Sequence, residues 1–190
     1  VETVETAVGD RWLSHSLRTS LAAHSQMPRI IGVEDSGHAV LPSPHPHNEH
    51  GWSLVGDGAA TLVAYLLARS VAQEEMLMER GWKQRVSVHN VRRELWDGTN
   101  QLSDEIEHIT RTHFQQCGDI TQWKRHGLEG EENLMLIEAL IDGAPLSLGI
   151  RNSGTQAKIS ISLRLSPSIE SETMALVMPK LAEHLANAMC

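Results

Sequence analysis

Cysteine is nearly absent from this chain. Its two cysteines, Cys117 and Cys190, lie far apart and in no metal-ligand spacing, which excludes a disulfide framework and fits a reducing compartment. Long apolar runs are missing too: no stretch approaches the length of a membrane span, and the first residues lack the basic and apolar regions of a signal peptide. A cytoplasmic protein with no membrane partner is the expectation. The chain also lacks a cationic excess. Its formal net charge is -8, and phosphate-backbone binding needs a cationic face, so nucleic acid is excluded as a partner. Local basic loops can still hold a small phosphorylated ligand. What is present is ample apolar content, 41% of 190 residues, enough for one large domain or two small ones.

Residues 1–6 alternate weakly and read as a short strand, and Leu13, Leu17 and Leu21 recur at helical spacing within an amphipathic segment over 12–23. Ser14-His15-Ser16 falls inside that segment and reads as helix surface, not as a nucleophile beside a base. Ile30 and Ile31 lead into Gly32-Val33-Glu34-Asp35-Ser36-Gly37-His38 and then Ala39-Val40-Leu41, a strand, a polar turn and a second strand. That turn projects a carboxylate, a hydroxyl and an imidazole from one loop, groups that bind sugar hydroxyls and exchange protons but that also occur as solvated hairpin residues. The stretch over 42–52 holds three prolines and reads as irregular. Its His45, His47, Glu49 and His50 are residue types that ligate Zn or Ni. A histidine-rich loop more often holds no metal, and none is expected here.

Asp57 is a good N-cap for a helix whose apolar stripe is Leu62, Val63, Leu66, Leu67 and Val71. A second helical stretch over 71–79 precedes a boundary at 80–83. Beyond it, residues 85–91, 120–124, 134–141, 146–150 and 158–165 read as strands, and 102–116 and 170–189 as helices, with Pro179 kinking or restarting the last. Asp142-Gly143 signals a hairpin, and 158–165 alternates strictly, with Ile159, Ile161, Leu163 and Leu165 on one face. Antiparallel strands with helices on one face make an α+β domain.

The chemistry concentrates between the last two strands, in Ile150-Arg151-Asn152-Ser153-Gly154-Thr155-Gln156-Ala157-Lys158. A guanidinium, an amide, two hydroxyls and a glycine within five positions form an inventory for phosphate, since Arg pairs bidentately with phosphate oxygens and the N–H groups of a Gly-containing turn make an anion nest. A polar hairpin tip fits the same spacing.

Four stretches occur in the order of one family. Arg151 to Lys158 resembles the R-x-S-G-T-E-P-K phosphate loop in the last domain of the α-D-phosphohexomutases, the phosphoglucomutases, phosphomannomutases and phosphoglucosamine mutases. Glu34, Ser36 and His38 resemble the sugar-recognition loop G-E-x-S-G-H of their third domain. Val8-Gly9-Asp10-Arg11 resembles a loop that opens a helix near the substrate, and Gly56-Asp57-Gly58 the segment that closes that domain. The resemblance covers nearly the whole chain but only the C-terminal part of such an enzyme. Ala7 stands where many relatives carry a ligand-facing lysine, and Gln156 and Ala157 also depart from the pattern.

The resemblance implies an α/β partial third domain over 1–80, with a mixed sheet and helices, and an α+β fourth domain over 83–190. Gly9, Asp10, Glu34 and Ser36 would bind substrate, with His38 close enough for proton transfer. Arg151, Asn152, Ser153, Gly154, Thr155 and Lys158 would hold the phosphate of a hexose phosphate. The family's phosphoserine belongs to its first domain and its Mg²⁺ loop to its second. Neither motif occurs in these 190 residues, so this chain alone is expected to be inactive and to hold no cofactor. A match that begins inside the third domain leaves a sheet uncovered. The expected partners are therefore the missing N-terminal domains or a self-association over that sheet. A complete, non-catalytic phosphosugar-binding module is the other reading.

Overall fold

A computed structural model of the protein describes residues 4–7, 9–22, 29–34, 37–48, 51–71 and 81–190. The chain divides into two compact units, Val1–Leu77 and Met78–Cys190. Among the described residues no helix is long and apolar enough to cross a membrane.

The first unit begins with residues 4–7, which have no regular structure, so the expected N-terminal strand is absent there. Helix α1 (Asp10–Ala22) buries Leu17 and Leu21. Strands β1 (Gly32–Val33), β2 (Ala39–Pro44) and β3 (Trp52–Val55) form a three-stranded sheet in that order. Both pairings are antiparallel, where a mixed sheet was expected. Consecutive strands joined by short turns pair antiparallel, because a parallel neighbour needs a long crossover.

The prolines do not keep 42–44 out of the sheet, contrary to expectation. Pro42 pairs with Leu54 and Pro44 with Trp52. The His45 N–H donates to the Gly51 carbonyl at 2.9 Å, so alternate residues of β2 turn their amides toward β3. Pro42 and Pro44 therefore direct their donorless nitrogens to the other side, where β1 pairs only with Ala39 and Val40.

Helix α2 (Gly58–Val71) starts as the N-cap requires: the Ala60 N–H donates to the Asp57 carboxylate at 2.8 Å. Its apolar stripe is not covered. Leu62, Val63, Leu66 and Leu67 are 55–63% exposed and Val71 80%. The second helical stretch expected over 71–79 lies, apart from Val71, outside the described residues.

The second unit is a five-stranded antiparallel sheet with helices on one face. Its strands are β4 (Trp82–His89), β5 (Ile120–Leu128), β6 (Glu131–Ile141), β7 (Ala144–Asn152) and β8 (Lys158–Leu165), in the order β4-β8-β7-β6-β5. Residues in register make continuous apolar rows, such as Val86, Ile161, Ile150 and Met135 across four strands. Helix α3 (Gln101–Cys117) lays Ile106 and Phe114 on that core, and α5 (Val177–Met189) adds Met178, Leu181 and Leu185; all five are fully buried. Each such side chain contributes about 1.5–3 kcal/mol by leaving water. The expected break near Pro179 occurs at Leu176, between the short α4 (Ser171–Ala175) and α5, which leaves proline in the first turn of α5. At the β6–β7 hairpin, Asp142 (φ 50) and Gly143 (φ 82) both take the left-handed conformation that a two-residue type I′ turn requires.

Arg125 joins α3 to β5. Its guanidinium reaches the Asp104 and Glu107 carboxylates at 2.6 and 2.9 Å, the Ser103 hydroxyl at 2.7 Å and the Gly98 carbonyl at 3.1 Å. A planar five-donor group satisfied on both edges fixes the helix start against the strand.

Truncating Phe114 to Ala is expected to lower stability by about 3–5 kcal/mol, because the cavity lies in a close-packed core. Leu62→Ser on the exposed face of α2 is expected to change it by less than about 0.5 kcal/mol. Urea titrations followed by circular dichroism compare the two.

Candidate functional site

The described part of the phosphate-loop candidate is carried by two strand ends and five residues between them. Strand β7 includes Arg151 and Asn152, and β8 begins at Lys158. The loop over 153–157 is closed by the Ser153 N–H donating to the Lys158 carbonyl at 2.9 Å and the Lys158 N–H donating to the Gln156 carbonyl at 2.8 Å. Inside it, the Ser153 hydroxyl oxygen accepts the N–H groups of Gln156 (3.2 Å) and Thr155 (3.4 Å). The oxygen is thus occupied as an acceptor, and the hydroxyl hydrogen is left to donate outward. A Cβ added at Gly154 would meet nothing within 4 Å, so the tip is open on that side.

Two side chains brace this loop from below. The Asn152 amide donates to the carbonyls of Arg93 (2.8 Å) and Trp96 (2.9 Å). Arg93 in turn donates from its guanidinium to the Ser153 carbonyl at 2.7 Å. Asn152 is therefore committed to the scaffold, whereas Ser153, Gly154 and Thr155 are presented by the loop. Arg151 donates from Nη1 to the Glu131 carboxylate at 2.9 Å. One carboxylate does not exhaust the five N–H donors of a guanidinium. Sequence reasoning missed Arg93, which lies 60 residues from its partner; the only signal was the tandem Arg92-Arg93 after a strand.

The turn beneath Asn152 is itself fixed by a carboxylate. Asp97 accepts the N–H groups of Thr99 and Asn100 at 2.7 Å each and the Thr99 hydroxyl at 3.1 Å. The Thr99 N–H is the largest cause holding this carboxyl below the usual carboxylate range, and the Asn100 N–H adds to it against the effect of burial. Trp96, 1% exposed, closes the turn by donating from its indole to the Asn133 carbonyl at 3.0 Å.

In the first unit the structure brings Gly9, Asp10, Glu34 and His38 together. The Gly9 N–H donates to the Glu34 carboxylate at 3.1 Å, and the His38 Nε2 lies 3.3 Å from the Asp10 carboxylate. The hairpin between β1 and β2 is tight: the Glu34 N–H donates to the His38 carbonyl at 2.9 Å and the Gly37 N–H to the Glu34 carbonyl at 3.0 Å. Gly9 at φ 118 and Gly37 at φ 87 hold conformations that side chains other than glycine rarely adopt. Ser36 lies outside the described residues, as do Val8, Glu49 and His50.

Other candidates carry less chemistry. The His47 N–H donates to the His45 Nδ1 at 3.2 Å, and among the described residues no group of three His, Cys, Asp or Glu is arranged to hold a metal ion. Burial, then the nearby Glu170, pushes the Cys117 thiol up, with Lys180 opposing, so it is no activated nucleophile. Ala7 is 3% exposed.

A scan against models of known protein families finds no match to this chain, and a search of curated proteins finds no relative.

Because the folded-state value of Asp97 is depressed, the stability it contributes is complete above the ordinary carboxylate range and is lost as pH falls through the lowered value. Asp97→Ala is expected to lower the urea midpoint at pH 7, and the gap to the parent is expected to narrow in steps below about pH 4. A gap that stays constant through that range refutes the role given to the carboxylate.

Proposed function

We propose that this chain is the C-terminal portion of an α-D-phosphohexomutase and supplies recognition of a hexose phosphate. On this reading residues 1–80 are a partial third domain and 83–190 the fourth. The observation that carries it is the braced loop over 153–157. Asn152 and Arg93 hold the loop from the scaffold side, while the Ser153 hydroxyl hydrogen and an open glycine are left at the tip. These donors suit the oxygens of a phosphate, and holding them in advance lowers the ordering cost of binding. Arg151, with Nη1 on Glu131, adds charge at the loop's first strand end.

The contact of Gly9 with Glu34 and of Asp10 with His38 supports the sugar-recognition half of the reading. Two stretches that the family uses near its substrate meet within one unit. Glu34 and Ser36 would take hexose hydroxyls, and His38, beside Asp10, would assist proton transfer. The phosphoserine and magnesium motifs are not among these 190 residues, so the proposed role is binding and positioning, with phosphoryl transfer carried elsewhere. The exposed stripe of α2 supports a covering partner, either the remaining domains of such an enzyme or a second copy.

The buried Ala7 favours the second reading, a phosphosugar-binding module without catalysis, because the lysine that many relatives aim at the ligand has no counterpart there.

Isothermal titration with glucose 1-phosphate, mannose 1-phosphate and inorganic phosphate tests the site, followed by a mutase assay on the same sample. Arg151→Ala is expected to weaken sugar-phosphate binding at least tenfold, about 1.5–3 kcal/mol for a charge-assisted contact. Unchanged affinity overturns the assignment of the loop.

A further inference from the structure

The five-stranded sheet ends in two unlike edges. At β5 the register with β6 shifts between Thr121 and Lys124 and again between His126 and Leu128, and Gln122 takes φ 51. Such irregularities spoil a strand as a template for further pairing. At the opposite edge β4 pairs with β8 without a break over eight residues, from Trp82 with Leu165 to His89 with Lys158. Among the described residues no strand pairs with the other side of β4. A regular eight-residue edge therefore offers its outward N–H and C=O groups.

The side chains beside that edge select among possible strands. On the face away from the helices, β4 carries Lys83, Arg85, Ser87 and His89 at alternate positions, with Lys158 opposite His89. Lys83, Arg85 and His89 are exposed. The Arg85 guanidinium donates to the Ser160 hydroxyl at 3.2 Å, a neutral partner that leaves its charge uncompensated. This cationic row occurs in a chain whose formal net charge is -8. A second copy pairing antiparallel here sets like charges on one face, which is destabilising. The cationic face of the sheet has no Phe, Tyr or Trp among its described residues: Trp82 alternates to the core side, so bases of a single strand find no stacking platform. Carboxylates at alternate positions of an added strand, in contrast, complement this cationic row, with Arg85 in its middle.

We propose that the outer edge of β4 binds an extended acidic peptide segment as a sixth strand, with Asp or Glu side chains at every second position on the cationic face. Main-chain hydrogen bonds give the affinity, and the alternating charges give the register. Lys83 and Arg85 lie outside the phosphate loop, so failure of this proposal leaves the hexose phosphate reading untouched.

Fluorescence anisotropy of the full chain with a labelled ten-residue peptide of alternating Glu and Val tests it. Saturable binding is expected, at least tenfold weaker for the Lys–Val analogue and for Arg85→Glu. N-methylation of alternate peptide nitrogens is expected to abolish binding in one of the two registers. In parallel, amide hydrogen exchange of residues 82–89 in the unsubstituted chain is expected to slow on adding the peptide, a readout that does not depend on a variant folding. The proposal is overturned by absence of binding, by equal binding of peptides methylated in either register, or by tighter binding of a single-stranded oligonucleotide of equal charge.

Discussion

The strict alternation of β8 is the constraint on which the second unit depends. Ile159, Ile161 and Leu163 are fully buried and Leu165 is nearly so, while Lys158, Ser162 and Arg164 keep partial contact with solvent on the other face. A shift of one residue would turn every one of these side chains to the wrong side. Because β8 lies between β4 and β7, this single pattern fixes two registers at once. It therefore sets where the loop over 153–157 begins and ends. It also aligns the cations of β4 on the polar face.

Fixed strand ends do not by themselves shape a loop, and here the shaping is done by hydrogen bonds from outside it. Asn152 spends its amide hydrogens on the Arg93 and Trp96 carbonyls, and Arg93 returns a bond to the Ser153 carbonyl. Asp97 and the Trp96 indole hold the turn that carries those acceptors. The route from core to tip thus passes through a buried tryptophan, a turn, an amide and a hydroxyl. Each step is a directional bond, so the donors at the tip are held in place by the scaffold.

The parts of this arrangement that were legible in the sequence follow from local rules. The period of two in residues 158–165 matches β8, and Asp142-Gly143 matches a turn needing two positive φ angles. Asp57 caps α2 as its position before an apolar run suggests. The illegible parts depend on partners. Pro42 and Pro44 enter a strand because only one side of β2 is paired there, a fact about a neighbour and not about proline. Arg93 reaches the loop across 60 residues that no short pattern spans. Asn152, which reads as a ligand group, donates its amide hydrogens to the Arg93 and Trp96 carbonyls, contacts that no short pattern foretells.

The two units differ most in how their site residues are supported. In the second, the loop rests on a core of buried side chains from three strands, β6, β7 and β8, and three helices, α3, α4 and α5. In the first, the buried apolar residues among those described are Ala7, Leu17, Leu21, Ala39 and Val40, and α2 buries none. Apolar burial is the main source of rigidity available to either unit. The Gly9–Glu34 and Asp10–His38 contacts therefore rest on a scaffold with less apolar packing among the described residues, and the stripe of α2 adds none to it. On this physics the loop over 153–157 is held by the better-packed of the two scaffolds, and the contacts of Gly9, Asp10, Glu34 and His38 by the sparser one.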